Sequence, residues 1–187
     1  RISWDSMATP GKIYEFNIKT KEKKLVKEIQ IPSGHNSENY LVERIKATSH
    51  DGKRIPITLV RRKDTKLNGN SKLLLYAYGC YKHSVPVSFS ASRFCLVDRN
   101  IIFAIAHVRG GGELGESFYQ EGKMMNKKNT FKDYIACAEH LINQKYTYKG
   151  GLVFYGGSAG GTTGGSVINM RPDFFFAALL LVPYVDC

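Results

Sequence analysis

The sequence predicts an α/β fold, a mostly parallel sheet with flanking helices, preceded by a short all-β segment. Three observations carry that prediction. From Lys72 onward the apolar runs KLLLYAY (72–78), IIFAIAHV (101–108), GLVFY (151–155) and FAALLLV (176–182) are separated by longer segments with helical periodicity, and alternating strands and helices need right-handed crossovers and parallel pairing. Before Lys72 the runs instead alternate apolar and polar residues around turn formers, the pattern of antiparallel hairpins. The run at 151–155 ends at a serine set among glycines, GGSAGG (156–161), where a strand must turn into a helix.

The elements follow in order. KIYEFNI (12–18) and KLVKEIQI (24–31) flank a polar TKEK turn and form a hairpin too small to stand alone. IPSGHNSEN (31–39) is rich in turn formers and marks a boundary, so residues 1–35 and 36–187 are expected to be separate units. LVERIKATS (41–49) and RIPITLVRR (54–62) flank HDGK, where Asp51 and Gly52 are expected to supply the positive φ values of a tight hairpin. The clearest helix is expected to start at Thr130, with Asp133 completing a capping box, and Tyr134, Ala138, Leu141 and Ile142 form its apolar stripe.

Composition narrows the function. With 43% hydrophobic residues over 187 positions the chain can build a core. Phe174 to Val182 is too short for a membrane span and is interrupted by Pro183, and no cleavable signal pattern opens the chain. Cys80, Cys95, Cys137 and Cys187 are widely spaced without CxxC pairing, which favours neither zinc nor a disulfide framework and points to a reducing cytoplasm. The net charge of +11 raises nucleic-acid binding as a possibility, but the lysines are dispersed and no binding motif accompanies them. No metal, cofactor, nucleic-acid or membrane partner is therefore expected. Arg1 at the start and the apolar LVPYVDC at the end read as cut ends, so the chain is expected to be a fragment.

The serine motif carries the chemistry. Gly156, Ser158 and Gly160 fit G-x-S-x-G, in which small neighbours let a sharp corner lift the hydroxyl above the sheet edge. The corner also aims the Ala159 amide, at the helix N-terminus, toward the oxygen of a tetrahedral intermediate. A glycine-rich helix start gripping a phosphate is the plain alternative, but no GK[ST] follows. Thr162, Thr163, Gly164 and Gly165 are poor helix formers, at about 1 kcal/mol for each glycine relative to alanine, so packing must hold that helix.

LLLYAYGCY (73–81), AIAHVRGGGELG (104–115), GKMMNKKNTFKDYIACAEHLI (122–142), GGSAGG (156–161) and INMRPDFF (168–175) together resemble the prolyl oligopeptidase family, in its oligopeptidase B branch. The resemblance implies an α/β-hydrolase catalytic domain, with residues 1–35 the end of a β-propeller that restricts access to small peptides. It implies cytosolic serine endopeptidase activity on oligopeptides, after Lys or Arg in this branch and after Pro in the other. Ser158 then corresponds to the nucleophile and Tyr78 to the residue whose phenol is the second oxyanion donor beside Ala159. A tyrosine at the C-terminal end of a parallel strand lies where α/β sheets place ligands, although a bare tyrosine there can also be a buried core residue hydrogen-bonded in place. Tyr81 falls at a cleft-lining aromatic position. The Arg109 to Glu113 loop reads as structural, with those two residues expected to pair.

The catalytic set is incomplete. In α/β hydrolases the triad runs Ser, then Asp or Glu, then His, yet His35, His50, His83, His107 and His140 all precede Ser158. His107 reads as a loop-edge residue and His140 as a helix-surface one, while Asp173 and Asp186 follow the serine too closely to be the family's acid. The base and acid, and the acidic residues for Lys or Arg specificity, are expected in a missing C-terminal part, which leaves the chain inactive alone. A prolyl-specific peptidase, an esterase or an acyl-peptide hydrolase of the same fold, or a dead fragment acting only as a binding module, are the alternatives.

Overall fold

A computed structural model describes residues 1–185, so Asp186 and Cys187 lie outside the described residues. The N-terminal segment forms a three-stranded antiparallel sheet, β1 (Ile2–Trp4), β2 (Lys12–Phe16) and β3 (Lys23–Glu28). The hairpin read from the sequence gains β1 as a third strand, pairing Ile2 with Tyr14. Three residues are too few to show an alternation in sequence, so only pairing reveals that strand.

The larger sheet has six strands among the described residues: β4 (Tyr40–Thr48), β5 (Arg54–Arg62), β6 (Leu73–Tyr76), β7 (Ile102–Ala106), β8 (Leu152–Gly157) and β9 (Phe175–Leu181). Their order is β4-β5-β7-β6-β8-β9. The first two strands pair antiparallel, and β7, β6, β8 and β9 pair parallel. At the β4–β5 turn Gly52 takes a positive φ of 82° but Asp51 does not. Asp51 instead accepts the Lys53 N–H through its side chain.

Four α-helices accompany the sheet among the described residues: α1 (Phe94–Val97), α2 (Glu116–Gln120), α3 (Lys128–Asn143) and α4 (Ala159–Met170). The crossover from β6 to β7 is mostly irregular, with the single turn of α1 where helical periodicity led us to expect more. Both faces of the central strands are covered. Leu73 and Leu75 join Tyr134, Cys137, Ala138 and Leu141 of α3 on one side. Leu74, with Phe94 and Val97 of α1 and Met7 of the N-terminal segment, fills the other. Two-sided burial explains why β6 and β7 read as continuous apolar runs.

The capping box expected at Thr130 is absent. Helix α3 begins at Lys128, and Thr130 Oγ1 donates to the Arg109 carbonyl at 2.7 Å. Asp133 is fully buried and bonds Arg109 instead. No helix among the described residues is long and apolar enough to cross a membrane.

Candidate active site

The corner in GGSAGG falls between the end of β8 at Gly157 and the start of α4 at Ala159. Ser158 occupies it with φ 51° and ψ −125°, a strained conformation for a residue with a Cβ. The surroundings hold it there. Its N–H donates to the Leu181 carbonyl at 3.0 Å, and its carbonyl accepts from Gly161 N–H at 2.8 Å and Tyr184 N–H at 2.9 Å. The side chain is exposed, and its hydroxyl makes no capping bond to the helix it precedes.

The outer glycines of the motif have a steric reason. A methyl group on Gly156 would lie 2.9 Å from the Phe154 ring and 3.1 Å from the Ala77 carbonyl oxygen, and one on Gly160 would lie 2.9 Å from that same oxygen. Both therefore let the corner approach the end of β6. Further along α4, a methyl on Gly164 would strike the Phe154 ring at 2.5 Å and Leu180 at 2.6 Å. Close packing on β8 and β9 thus holds a helix that its own residues disfavour.

Tyr78 follows the end of β6, which pairs with β8 in the register Tyr76 to Tyr155, so Tyr78 and Ser158 emerge at the same sheet edge. The phenol ring is half-buried and packs on the first turn of α4, 3.4 Å from where a Gly160 methyl would sit. Burial, then Cys80 and Tyr81, pushes the Tyr78 hydroxyl above its ordinary value, which keeps it a proton donor at neutral pH. Ala159 is buried, and its N–H is in the first turn, where amides have no intrahelical acceptor. Ser158, Ala159 and Tyr78 are thus brought together where β6, with β7 on one side and β8 on the other, forms the switch point of the sheet. Tyr81 is 75% exposed with φ 56°, on a cleft that Tyr78 and His83 also line.

Other sequence expectations need correction. Arg109 does not pair with Glu113: its guanidinium is buried against Asp133 and Asp51. Glu113 instead lies 3.3 Å from His107 Nδ1. His107 is not a loop-edge residue, since it is 2% exposed and lies 2.9 Å from Thr58 Oγ1 through Nε2. His140 is half-buried on α3. Asp173 pairs with Arg171 and Lys149. Two contacts beside the site have no signature in the sequence, the His83 ring edge-on to Tyr78 at 5.5 Å and Lys127 Nζ 3.0 Å from Cys80 Sγ, because neither spacing is a motif.

A sheet of this order, with a serine at a strained strand-to-helix corner, defines an α/β-hydrolase fold. The chain belongs to the prolyl oligopeptidase family, whose sequence profile matches residues 87–187. It is 43% identical over 187 residues to dipeptidyl aminopeptidase BI of Pseudoxanthomonas mexicana, covering all of this chain and 26% of that protein. It is 37% identical to protease 2 of Moraxella lacunata, covering 99% of this chain and 27% of that one. Oligopeptidase B from Leishmania major superposes with a TM-score of 0.91 at 42% identity, over 98% of this chain and 26% of that structure. The chain thus spans about a quarter of the length of the curated relatives it matches.

Proposed function

We propose that this chain carries the nucleophile and the oxyanion donors of a serine endopeptidase that hydrolyses oligopeptides after Lys or Arg through an acyl-enzyme on Ser158. One observation supports it most: an exposed serine hydroxyl at a strained corner, with the Ala159 amide and the Tyr78 phenol at the same sheet edge. In this reading Ser158 Oγ attacks the scissile carbonyl, and its proton passes to a histidine held by an acidic residue. The Ala159 N–H and Tyr78 O–H donate to the oxygen that becomes negative.

The base and acid are assigned to sequence following this chain in the complete protein. All five histidines precede Ser158, and the chain spans about a quarter of its relatives. Residues 1–35 are assigned to the end of a propeller that admits only small peptides, and 36–187 to the catalytic domain. The thiols of Cys80, Cys95 and Cys137 are free, in keeping with a cytoplasmic location. A second reading draws on the first relative's name: removal of dipeptides from free N-termini.

The test uses the full-length protein with N-blocked and free Lys-, Arg- and Pro-substrates, acyl-blocked peptides and a fluorophosphonate probe. Ser158→Ala should abolish labelling and lower kcat by roughly 10⁶-fold, and Tyr78→Phe should lower kcat by about 10²- to 10³-fold. Labelling that survives Ser158→Ala would sink the assignment. Cleavage confined to free N-termini would favour the dipeptidyl reading. Labelling of the 187-residue chain at the complete enzyme's rate would disprove the assignment of the base to later sequence.

A further inference from the structure

Behind the loop that carries Tyr78 lies a second loop, residues 109–115, which follows β7. The two backbones are in direct contact. Lys82 N–H donates to the Gly110 carbonyl at 3.0 Å. A methyl on Gly110 would collide with the Gly79 carbonyl, and one on Gly112 with the Lys82 carbonyl. Glu113 joins these loops from the inside. Its side chain is 7% exposed, its Oε1 accepts the Val85 N–H at 3.0 Å, and the same oxygen lies 3.3 Å from His107 Nδ1. Oε2 has no partner among the described residues.

A buried carboxyl oxygen left without a hydrogen bond is costly, and a site that needed only packing would be better filled by an apolar side chain. What Glu113 supplies is an acceptor at one place on the neighbouring loop. Val85 is two residues beyond His83, whose ring stands edge-on to Tyr78. The anchor at Val85 and the glycine contacts at 79 and 82 therefore bracket the segment that supports the phenol.

We propose that Glu113 is a positioning residue for the Tyr78 hydroxyl: its carboxylate, through the Val85 amide, fixes residues 79–85 so that the phenol stays aimed at the oxyanion beside Ala159. This rests on the reading of Tyr78 as an oxyanion donor. Small displacements matter in such a site, since a shift of about 1 Å can lower the rate by roughly 10²-fold.

The experiment is a double-mutant cycle in the full-length enzyme. Glu113→Ala should lower kcat by about tenfold to a hundredfold with little change in KM. Glu113→Gln keeps an oxygen for the Val85 N–H and should restore most of kcat. Glu113→Leu fills the volume without the acceptor, should behave as the alanine variant does, and serves where alanine fails to fold. In a Tyr78→Phe background these changes should cost little more, because residues acting through one group are not additive. Hydrogen exchange at the Val85 amide should accelerate in the alanine and leucine variants, with or without activity. Full additivity with Tyr78→Phe, a folded leucine variant with normal kcat, or a loss confined to KM would overturn the proposal. If Tyr78→Phe alone leaves kcat unchanged, the oxyanion reading itself fails and the proposal with it, while exchange at Val85 still shows whether Glu113 anchors the loop.

Discussion

The Arg109 guanidinium is 1% exposed and makes a two-pronged bond to fully buried Asp133, through Nε at 2.8 Å and Nη2 at 2.6 Å. Its outer side bonds Asp51, which reaches solvent. Burial alone would lower the guanidinium's proton affinity, but the bonds to Asp133 and then Asp51 outweigh it and raise it. In return Arg109 holds the Asp51 carboxyl at about 2, below its ordinary value of 3.8. A carboxyl whose folded value is depressed stabilises the fold fully above its unfolded value and loses that contribution as pH falls through the folded one. Denaturant midpoints of the native chain and Asp51→Asn should therefore differ most above about pH 4 and converge toward pH 2. An equal gap at both ends would show that Asp51 acts through something other than its charge. At this scale the sequence was unevenly legible: the serine corner is a local motif, whereas Arg109 finds Asp133 twenty-four residues on and Asp51 fifty-eight residues back. Arg109 and Glu113 look paired in sequence because they are near neighbours on one loop, but folding turns them to different partners.

The strands from β4 onward were readable because burial on two faces, or alternation in a hairpin, leaves a period in the residue types. The crossover between β6 and β7 was not, since its Phe89 and Phe94 rings stack on each other and meet His35, from a distant segment, edge-on. Helix α4 shows how tertiary contact overrides propensity. Gly164 faces Phe154 and Leu180, whereas a methyl on Gly165 would meet only Val185, at 3.6 Å. The same substitution should have opposite effects one residue apart. Gly165→Ala should stabilise by about 0.5–1 kcal/mol from helix propensity. Gly164→Ala gains the same propensity but must overpack the core, which costs typically 1–3 kcal/mol, and should be a net loss. Thermal or urea unfolding of the two variants decides this, and a stabilising Gly164→Ala would mean that α4 is free to move off the sheet.

Across the whole molecule, the described sheet ends in apolar β9, where Phe176 is 62% exposed and Leu179 and Leu181 are about half exposed. Open apolar edges pair with other chains. The 187-residue chain should self-associate at micromolar concentration, and Leu179→Lys should reduce this in sedimentation velocity. A native chain that stays monomeric would mean that something shields this edge. The site's position in the sheet has a separate bearing on how the molecule can vary. Tyr78 and Ser158 come from segments eighty residues apart, and their spacing is set by the pairing of β6 with β8. Sliding one strand past the other by a single residue would move the phenol about 3.3 Å from the hydroxyl and turn alternate side chains to the wrong face. Insertions in the intervening crossovers leave that alignment untouched, so these two strands act as a ruler that lets the surrounding loops diverge while the distance between the phenol and the serine hydroxyl is inherited unchanged.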